Sequence, residues 1–361
     1  MGHVSFASTL TAIAITRASP NMSWTELSIH TTDEAVDWVS TLLASIDYAG
    51  ETHITPYSPS ASESPTQPEN QPSWAFTIYL YLSSEYSPEE PALHLSAQAW
   101  EEAIQDAIFP LHRIGLVSLT HRLVLPEKPT DVKAVQRPSH RIGQHFVVSP
   151  EHPSTAHSPT VHPTDDIILK LGNSLAFGSG LHPATVLSLQ LLEQYVTPAM
   201  HTLDLGSGTG ILSVAMAKLG AQVLALDNDL VAVQATQDSI QRNQIDSQVT
   251  VFKGSLGAGS QLGHWMGGDL TADVPTFSPT HAFDLIVANI LARIHISLAT
   301  DFHKALRQTK PQGGILITAG FTTDYQDEVS QAFIQAGFEA IDSAQNNEWI
   351  ALVHRLKTES P

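Results

Sequence analysis

The chain has 361 residues, more than one hydrophobic core usually organises, so we predict two domains. Acidic residues outnumber basic ones by 36 to 17, and the net charge of −19 argues against a protein that binds along a nucleic-acid backbone. The absence of cysteine excludes disulfides, thiolate metal ligands and cysteine nucleophiles, and it favours a cytoplasmic protein. The sequence shows neither a metal-ligand spacing of histidines nor an apolar run of membrane-spanning length, so we expect no metal site and no membrane span.

The N-terminal region predicts a small α+β domain over residues 22–125, preceded by a disordered extension over residues 1–21. Alternation with a period of two indicates strands, and apolar residues at helical spacing indicate helices. The predicted order is a strand at 24–30, a helix at 35–46, a strand at 74–82, a helix at 89–108 and a strand at 116–125. This order is typical of a ferredoxin-like, split βαβ sandwich.

Residues 126–165 are rich in proline and are predicted to form a linker or hinge rather than part of a core, although residues 142–148 have the pattern of a short strand. From residue 166 to residue 361 strands and helices alternate, which favours a parallel sheet with helices on both faces. Strands are predicted at 201–205, 222–227, 248–253, 283–288 and 314–318. A glycine-rich passage over residues 254–282 is predicted to be a surface insertion.

A strand-to-helix turn with three glycines marks a candidate binding site in the second domain. The segment from Asp204 to Gly210 reads Asp-Leu-Gly-Ser-Gly-Thr-Gly, and Gly206 and Gly208 permit a sharp turn and close approach of a ligand to the backbone. Asp227 ends the next predicted strand, where a carboxylate accepts hydrogen bonds from ribose hydroxyls. The alternative is a tight turn beside an unrelated acid, but the register of both acids favours a nucleoside site.

The glycine spacing separates two classes of nucleoside-binding protein. Dinucleotide enzymes such as nicotinamide dehydrogenases use Gly-x-Gly-x-x-Gly, whereas this turn reads Asp-x-Gly-x-Gly-x-Gly. It resembles the cofactor motif of the class I S-adenosylmethionine-dependent methyltransferases. Two further segments, Ala176–Thr185 and Ala288–Ala292, together with Trp24 and Trp349, are similar to those of the ribosomal protein L-eleven (L11) methyltransferase family (PrmA).

The resemblance implies a fold and a set of site residues. It implies a Rossmann-like class I methyltransferase sheet in the C-terminal domain, residues 166–361, and substrate recognition by the N-terminal domain, residues 22–125. Asn289 is implied to be the catalytic residue that meets the reacting amine. The residues implied to bind S-adenosylmethionine are Thr185, Gly206, Asp227, Asn289, Asp204, Gly208 and Phe177.

Several of these assignments have structural alternatives. Asn289 either accepts hydrogen bonds from the amine or caps the following helix. Phe177 either closes over the sulfonium of the cofactor or packs in the core. His182 is either a base or the start of a helix before Pro183. Ser255 is a weaker candidate for contact with the adenine edge.

The family implies transfer of methyl groups from S-adenosylmethionine to α-amino and lysine ε-amino groups of ribosomal protein L11, without direct recognition of nucleic acid. The chain departs from the family pattern at residues 173–175 and at Ser179 and Ala184, where threonine is usual. These departures leave methylation of another protein or of a small-molecule amine as the alternative. A protein that binds cofactor without catalysis is disfavoured, because Asn289 and Asp227 are both present.

Overall fold

The computed structural model describes residues 24–46, 48, 52–59, 74–83, 96–126, 139–150, 165–172, 178–257, 259, 274–308 and 313–357. Within these residues the chain forms a four-stranded N-terminal sheet, a three-stranded middle sheet, a seven-stranded C-terminal sheet and a two-stranded ladder. The predicted extension over residues 1–21, Phe177 and most of the predicted insertion lie outside the described residues. No helix in the described part of the chain is long and apolar enough to cross a membrane.

The N-terminal domain is an antiparallel sheet with two helices packed on one face. Its elements are β1 (Trp24–Thr31), α1 (Ala35–Ser45), β2 (Thr52–Pro56), β3 (Phe76–Ser83), α2 (Ala97–Arg113) and β4 (His121–Leu125). The strands lie in the order β2-β3-β1-β4, and every second residue of β1 is buried, which turns one face of the sheet towards the helices. This β-α-β-β-α-β order confirms the predicted ferredoxin-like fold, and β2 is a strand that the sequence pattern did not predict.

Helix α2 lies later in the chain than predicted. It begins after Ser96, whose hydroxyl accepts a hydrogen bond from a first-turn amide at 3.2 Å, an N-cap interaction worth about 1 kcal/mol. Trp100, Ile104 and Ile108 recur every four residues and are buried in the domain core. The cap therefore sets the start of α2 at Ala97, and residues 89–95 of the predicted helix lie outside the described residues.

The middle sheet corrects the prediction for the proline-rich region. It consists of β5 (His140–Ile142), β6 (Phe146–Pro150) and β7 (Ile167–Leu171), with an antiparallel hairpin of β5 and β6 beside a parallel β7. Ile142 and Phe146 are buried in the core of the C-terminal domain. Residues 139–150 thus pack in that core, so the predicted linker over residues 126–165 is wrong for this stretch, while the boundary at residue 125 stays a prediction.

The C-terminal domain alternates helices and strands around one sheet. In chain order it contains α3 (Pro183–Tyr195), β8 (His201–Leu205), α4 (Ile211–Lys218), β9 (Gln222–Asp227), α5 (Leu230–Asn243), β10 (Val249–Lys253), β11 (Ser255–Leu256), β12 (Thr276–Phe277), β13 (Leu285–Asn289), α6 (Ala292–Ala305), β14 (Ile315–Thr322), α7 (Gln326–Gln335), β15 (Phe338–Asn346) and β16 (Trp349–Leu356). A short 3-10 helix precedes α7, and β11 pairs with β12 outside the main sheet.

The sheet order is β10-β9-β8-β13-β14-β16-β15. The first five strands are parallel, and β8 and β9 have the bounds that the sequence predicted. Alternate residues of β13 belong to two different apolar clusters, which shows that both faces of the sheet are covered. The predicted α/β class is confirmed, but β15 and β16 form an antiparallel hairpin that the alternating pattern did not predict.

The strand order reverses at the centre of this sheet. From β8 the chain moves outward through β9 and β10 and then returns to β13 on the other side of β8. Open α/β sheets bind ligands in the crevice at the carboxyl ends of the strands where this reversal occurs. The glycine turn after β8, Asp227 at the end of β9 and Asn289 at the end of β13 all meet at this crevice.

Candidate active site

A cavity opens at the crevice, and residues of both domains line it. The C-terminal domain contributes the turns that follow β8, β9 and β13 and the start of α3, while Trp38 and Thr41 come from helix α1. Most of the predicted site residues line the cavity, namely Thr185, Gly206, Gly208, Asp227 and Asn289. Ser255, the weaker candidate, also lines it.

Backbone hydrogen bonds hold the glycine turn against the neighbouring strand. The amides of Gly206 and Ser207 both donate to the carbonyl oxygen of Leu226, at 2.8 and 3.1 Å. Gly206 has a φ of +77°, and a Cβ at this position would lie 2.6 Å from Cγ2 of Ile290. Only glycine fits there, and the turn therefore brings bare backbone to the cavity wall.

Asp227 braces the glycine turn from the end of β9. Its Oδ2 accepts a hydrogen bond from the amide of Gly208, and its Oδ1 accepts one from the amide of Asp229, each at 3.0 Å. A carboxylate has about four lone-pair positions, so these two bonds are compatible with acceptance of ligand hydroxyls. Asp227 therefore lines the cavity at the end of β9, and its carboxylate is held in a fixed orientation.

Asp204 lies beneath the turn instead of at the cavity wall. Strand β8 ends one residue later, and the Asp204 side chain is fully buried, with Oδ2 accepting a hydrogen bond from Oγ of Ser213 at 2.6 Å. Burial raises the pKa of Asp204 to about 7, with the Ser213 hydrogen bond opposing the shift and the charge of Asp227 adding to it. Asp204 is the next-to-last residue of β8, as predicted, but its side chain does not line the cavity, and its contact with the cofactor stays a prediction.

Asn289 and Thr185 form the polar wall opposite the glycine turn. Nδ2 of Asn289 donates to Oγ1 of Thr185 at 3.2 Å, and Thr185 is fully buried in the first turn of α3. Oδ1 of Asn289 is buried and has no hydrogen-bond partner among the described residues. The N-cap of α6 is Leu291, without a side-chain cap bond, so Asn289 does not serve as the helix cap that was its alternative interpretation.

Aromatic rings close the cavity near Asn289. His182 caps α3 by accepting a hydrogen bond from the amide of Ala184 at 3.2 Å, and its ring lies edge-on to Trp349 with centroids 4.4 Å apart. The centroid of the Trp38 ring lies 6.3 Å from that of His182, also in an edge-on arrangement. Burial lowers the pKa of His182 to about 3, so the ring is neutral and too weak a base to take a proton at pH 7. The structure thus supports the helix-start role of His182 over the role of a base.

The loop before α3 joins the N-terminal domain to the glycine turn. The buried carboxylate of Asp37 on α1 accepts hydrogen bonds from the amide of Ser179, at 3.0 Å to Oδ1 and 3.2 Å to Oδ2. The carbonyl oxygen of Gly178 accepts a hydrogen bond from Oγ1 of Thr209, a residue of the turn, at 2.6 Å. The sequence interpretation missed Asp37 and Trp38, although a tryptophan outside the apolar stripe of α1 was a signal that could have found the contact.

The fold and the cavity together define a class of protein. A doubly wound sheet with a glycine turn after its first strand, an acid at the end of the second and an amide side chain at the end of the fourth has the features of a class I S-adenosylmethionine-dependent methyltransferase. A model of the family described as ribosomal protein L11 methyltransferase (PrmA) matches residues 23–357. The chain therefore belongs to this family, which confirms the resemblance found in the sequence.

Individual relatives agree with the family match. A Chloroflexus aurantiacus protein named ribosomal protein L11 methyltransferase is 37% identical over 342 residues, covering 92% of this chain and 98% of the relative. A Herpetosiphon aurantiacus protein of the same name is 33% identical, covering 92% and 99%. The crystal structure of a ribosomal protein L11 methylase from Lactobacillus delbrueckii subsp. bulgaricus is 28% identical, covers 61% of this chain and 99% of that one, and has a TM-score of 0.48.

Proposed function

We propose that this protein transfers methyl groups from S-adenosylmethionine to the α-amino and lysine ε-amino groups of ribosomal protein L11. Membership of the PrmA family supports the choice of acceptor protein. The observation that supports transfer to an amine is the buried Oδ1 of Asn289, which lies at the cavity wall without a partner among the described residues. A buried carbonyl oxygen of this kind requires a donor, and an amine N–H supplies one.

The glycine-turn side of the cavity suits the cofactor. When bound, S-adenosylmethionine supplies a methyl group on a positively charged sulfur. We assign the ribose to Asp227 and the close backbone approach to Gly206 and Gly208, which have no side chain to obstruct it. Thr185 fixes the orientation of the Asn289 amide between cofactor and acceptor. Phe177 lies outside the described residues, so its contact with the sulfonium stays a prediction.

The acceptor side of the cavity suits an amine that reacts without its extra proton. When S-adenosylmethionine is bound, it would supply the methyl group to the amine nitrogen, S-adenosylhomocysteine would leave, and the proton lost from the nitrogen would pass to water. Lysine has a reference pKa of about 10.4, and a wall of neutral groups such as Trp38, Trp349 and His182 disfavours its charged form. The Asn289 Oδ1 and the neighbouring Ile290 carbonyl oxygen accept the N–H groups and aim the lone pair, so alignment is the contribution of the protein.

The N-terminal domain is proposed to recognise the acceptor protein, since α1 places Trp38 and Thr41 in the cavity wall. A cytoplasmic location belongs to the same proposal. Methylation of another protein or of a small-molecule amine remains the second candidate because of the departures from the family pattern. The serine at position 179 does not favour this second candidate. Ser179 contacts Asp37 through its backbone amide, which threonine also has. Its hydroxyl accepts a hydrogen bond from the amide of Leu181 at 3.2 Å, and a threonine hydroxyl would accept the same bond.

The acceptor is tested by incubating the purified protein and labelled S-adenosylmethionine separately with ribosomal protein L11, intact ribosomes, naked ribosomal RNA and free amino acids. We expect label in L11, and mass spectrometry of its peptides should place the methyl groups on the α-amine and on lysines. Label confined to RNA or to amino acids would overturn the proposal. Label in a different ribosomal protein would support protein methylation but would show that the acceptor is not L11.

A further inference from the structure

The strand beside Asn289 has a bulge at its cavity end. Ala319 and Gly320 of β14 together stand opposite the single residue Ala351 of β16, where the register of the two strands shifts. On its other side β14 pairs with β13 up to Asn289, which lies opposite Ala319. The bulge therefore lies directly against the end of β13, and Gly320 lines the cavity there.

Gly320 leaves room for the acceptor oxygens. A Cβ at this position would lie 2.6 Å from the carbonyl oxygen of Ile290, 2.8 Å from the Ile290 nitrogen and 2.9 Å from Oδ1 of Asn289. These distances are too short for a real Cβ, and the φ of +92° at Gly320 is strained for any residue with a side chain. A side chain at position 320 must therefore displace the two oxygens that we assign to the amine.

His295 on helix α6 hydrogen-bonds to the backbone of the bulge beside Asn289. Its Nε2 donates to the carbonyl oxygen of Ala319 at 2.9 Å, and the amide of Ile290 donates to that same oxygen at 3.0 Å. The His295 ring is fully buried and lies edge-on to Phe321, with centroids 5.4 Å apart. Burial lowers the pKa of His295 to about 4, so the ring is neutral at pH 7 and its one N–H proton must lie on Nε2 to make this bond.

We infer that Gly320 and His295 are positioning residues for methyl transfer, which hold Asn289 Oδ1 and the Ile290 carbonyl oxygen where the amine meets them. The inference rests on the proposed role of Asn289. Displacement of a reacting geometry by about 1 Å costs on the order of 100-fold in rate. Loss of either residue should therefore lower kcat much more than cofactor affinity, because the glycine turn and Asp227 are held by bonds of their own.

The glycine is tested by Gly320→Ala against Gly337→Ala. Gly337 has a nearly equal φ of +94° but lies before β15, away from the cavity, where a Cβ would meet only the ring of His303 at 3.2 Å. For Gly320→Ala we expect kcat to fall by about 100-fold, with the Kd for S-adenosylhomocysteine changed by less than about threefold. Gly337→Ala should lower the melting temperature and leave kcat near the wild-type value.

The histidine is tested by His295→Phe and His295→Gln against His354→Phe. His354 on β16 is a second buried histidine with a pKa lowered to about 4 by burial, and it packs on Phe333 at 4.9 Å, away from the cavity. We expect His295→Phe to lose kcat, His295→Gln to recover part of it because its amide supplies the N–H, and His354→Phe to lose stability only. If Gly320→Ala does not fold, the His295 variants still test whether the bulge positions Asn289.

A spectroscopic readout separates this inference from the proposed reaction. The side-chain amide signal of Asn289, assigned by its loss in Asn289→Ala, should shift in Gly320→Ala and His295→Phe and stay in place in Gly337→Ala and His354→Phe. An unmoved signal or an unchanged kcat in folded Gly320→Ala and His295→Phe would overturn the inference, as would equal losses of kcat and cofactor affinity. A wild-type protein that methylates no amine would overturn the proposed function. The shift of the Asn289 amide signal would still show whether Gly320 and His295 position Asn289.

Discussion

The two sides of the cavity are built in different ways. The proposed cofactor side, meaning Gly206, Gly208 and Asp227, comes from one stretch of chain whose backbone amides bond to Leu226 and Asp227. The acceptor side is gathered from distant parts of the sequence, namely Trp38, His182, Asn289 and Trp349. Local backbone geometry therefore determines the first side, whereas the second exists only when both domains are folded against each other.

The two sides also differ in charge. Asp227 and Asp229 bring carboxyl groups to the cofactor side. The acceptor side presents the amide of Asn289, two indole rings and a histidine that burial keeps neutral. A neutral wall suits an amine that must lose its charge before it reacts, and carboxylates suit ribose hydroxyls. We therefore expect cofactor affinity and the rate of transfer to depend on different residues.

Asn289→Ala is expected to break the acceptor side with the largest effect. The variant loses the oxygen that aims the amine, so kcat should fall by about 100-fold or more, as for loss of a preorganised polar group at a reaction centre. The Kd for S-adenosylhomocysteine, measured by calorimetry, should change little. Asn243→Ala is the matched control, because Asn243 is buried and bonds to the backbone of Lys170 away from the cavity. Equal losses of kcat and affinity in Asn289→Ala would contradict the comparison.

Asp227→Ala is expected to break the cofactor side. A hydrogen bond to a charged group contributes about 1.5–3 kcal/mol, so loss of the ribose partner should weaken cofactor binding by roughly 10- to 100-fold. The amide of Gly208 also loses its acceptor, which loosens the turn. Asp238→Ala is the control, since Asp238 is an exposed acid of α5 bonded to Gln234. Unchanged cofactor affinity in Asp227→Ala would remove Asp227 from the cofactor side.

Trp38→Ala tests whether the N-terminal domain belongs to the acceptor side. Removal of the indole opens the wall beside His182, and we expect kcat/KM for the protein acceptor to fall by about tenfold, in the range of a moderate interface contact. Leu42→Ala, on the same helix but outside the cavity wall, should have little effect on kcat/KM. A Trp38→Ala variant that loses cofactor affinity and keeps kcat/KM at saturating cofactor would move Trp38 to the cofactor side.

Asp204→Asn gives the smallest expected effect and sharpens the electrostatic part of the comparison. In the folded protein the pKa of Asp204 is raised from 3.8 to about 7, so between these values the folded chain holds a proton that the unfolded chain has released. The stability that this proton provides is present at acid pH and is lost as the pH rises to about 7. Asparagine does not ionise and still accepts the bond from Ser213. The melting temperature of Asp204→Asn minus that of the wild type should therefore increase from about pH 4 to pH 7, and a constant difference would contradict a buried, neutralised Asp204.

The cofactor side could be predicted from the sequence because a strand, three glycines and a second strand follow one another directly. Strands β8 and β9 have the predicted bounds, and Asp227 lies at the cavity as expected. The pattern predicts the strand end that contains Asp204, but it does not predict that the Asp204 side chain is buried outside the cavity wall. The motif thus fixes the backbone path more securely than the role of each side chain.

The acceptor side was only partly predictable. Asn289 follows an apolar strand and could be placed at the sheet edge, but the contacts of Trp38 and Asp37 depend on how the two domains pack, which no local pattern encodes. A short strand was predicted over residues 142–148, but its pairing as a hairpin of β5 and β6 and its place in the core were not, because the surrounding prolines favoured a linker. The turn of the hairpin is joined to helix α3, distant in sequence, because the carboxylate of Glu193 accepts a hydrogen bond from the amide of Gln144 at 2.9 Å.

Single-turnover methylation of L11 at saturating S-adenosylmethionine separates cofactor affinity from the rate of methyl transfer. The transfer rate is measured for the wild type, Asp227→Ala and Asn289→Ala after each enzyme has been saturated with cofactor. We predict that Asp227→Ala recovers a rate close to that of the wild type, because its defect lies in affinity, while Asn289→Ala stays slow at every cofactor concentration. Equal impairment of both variants at saturation would contradict the separation of cofactor affinity from methyl transfer.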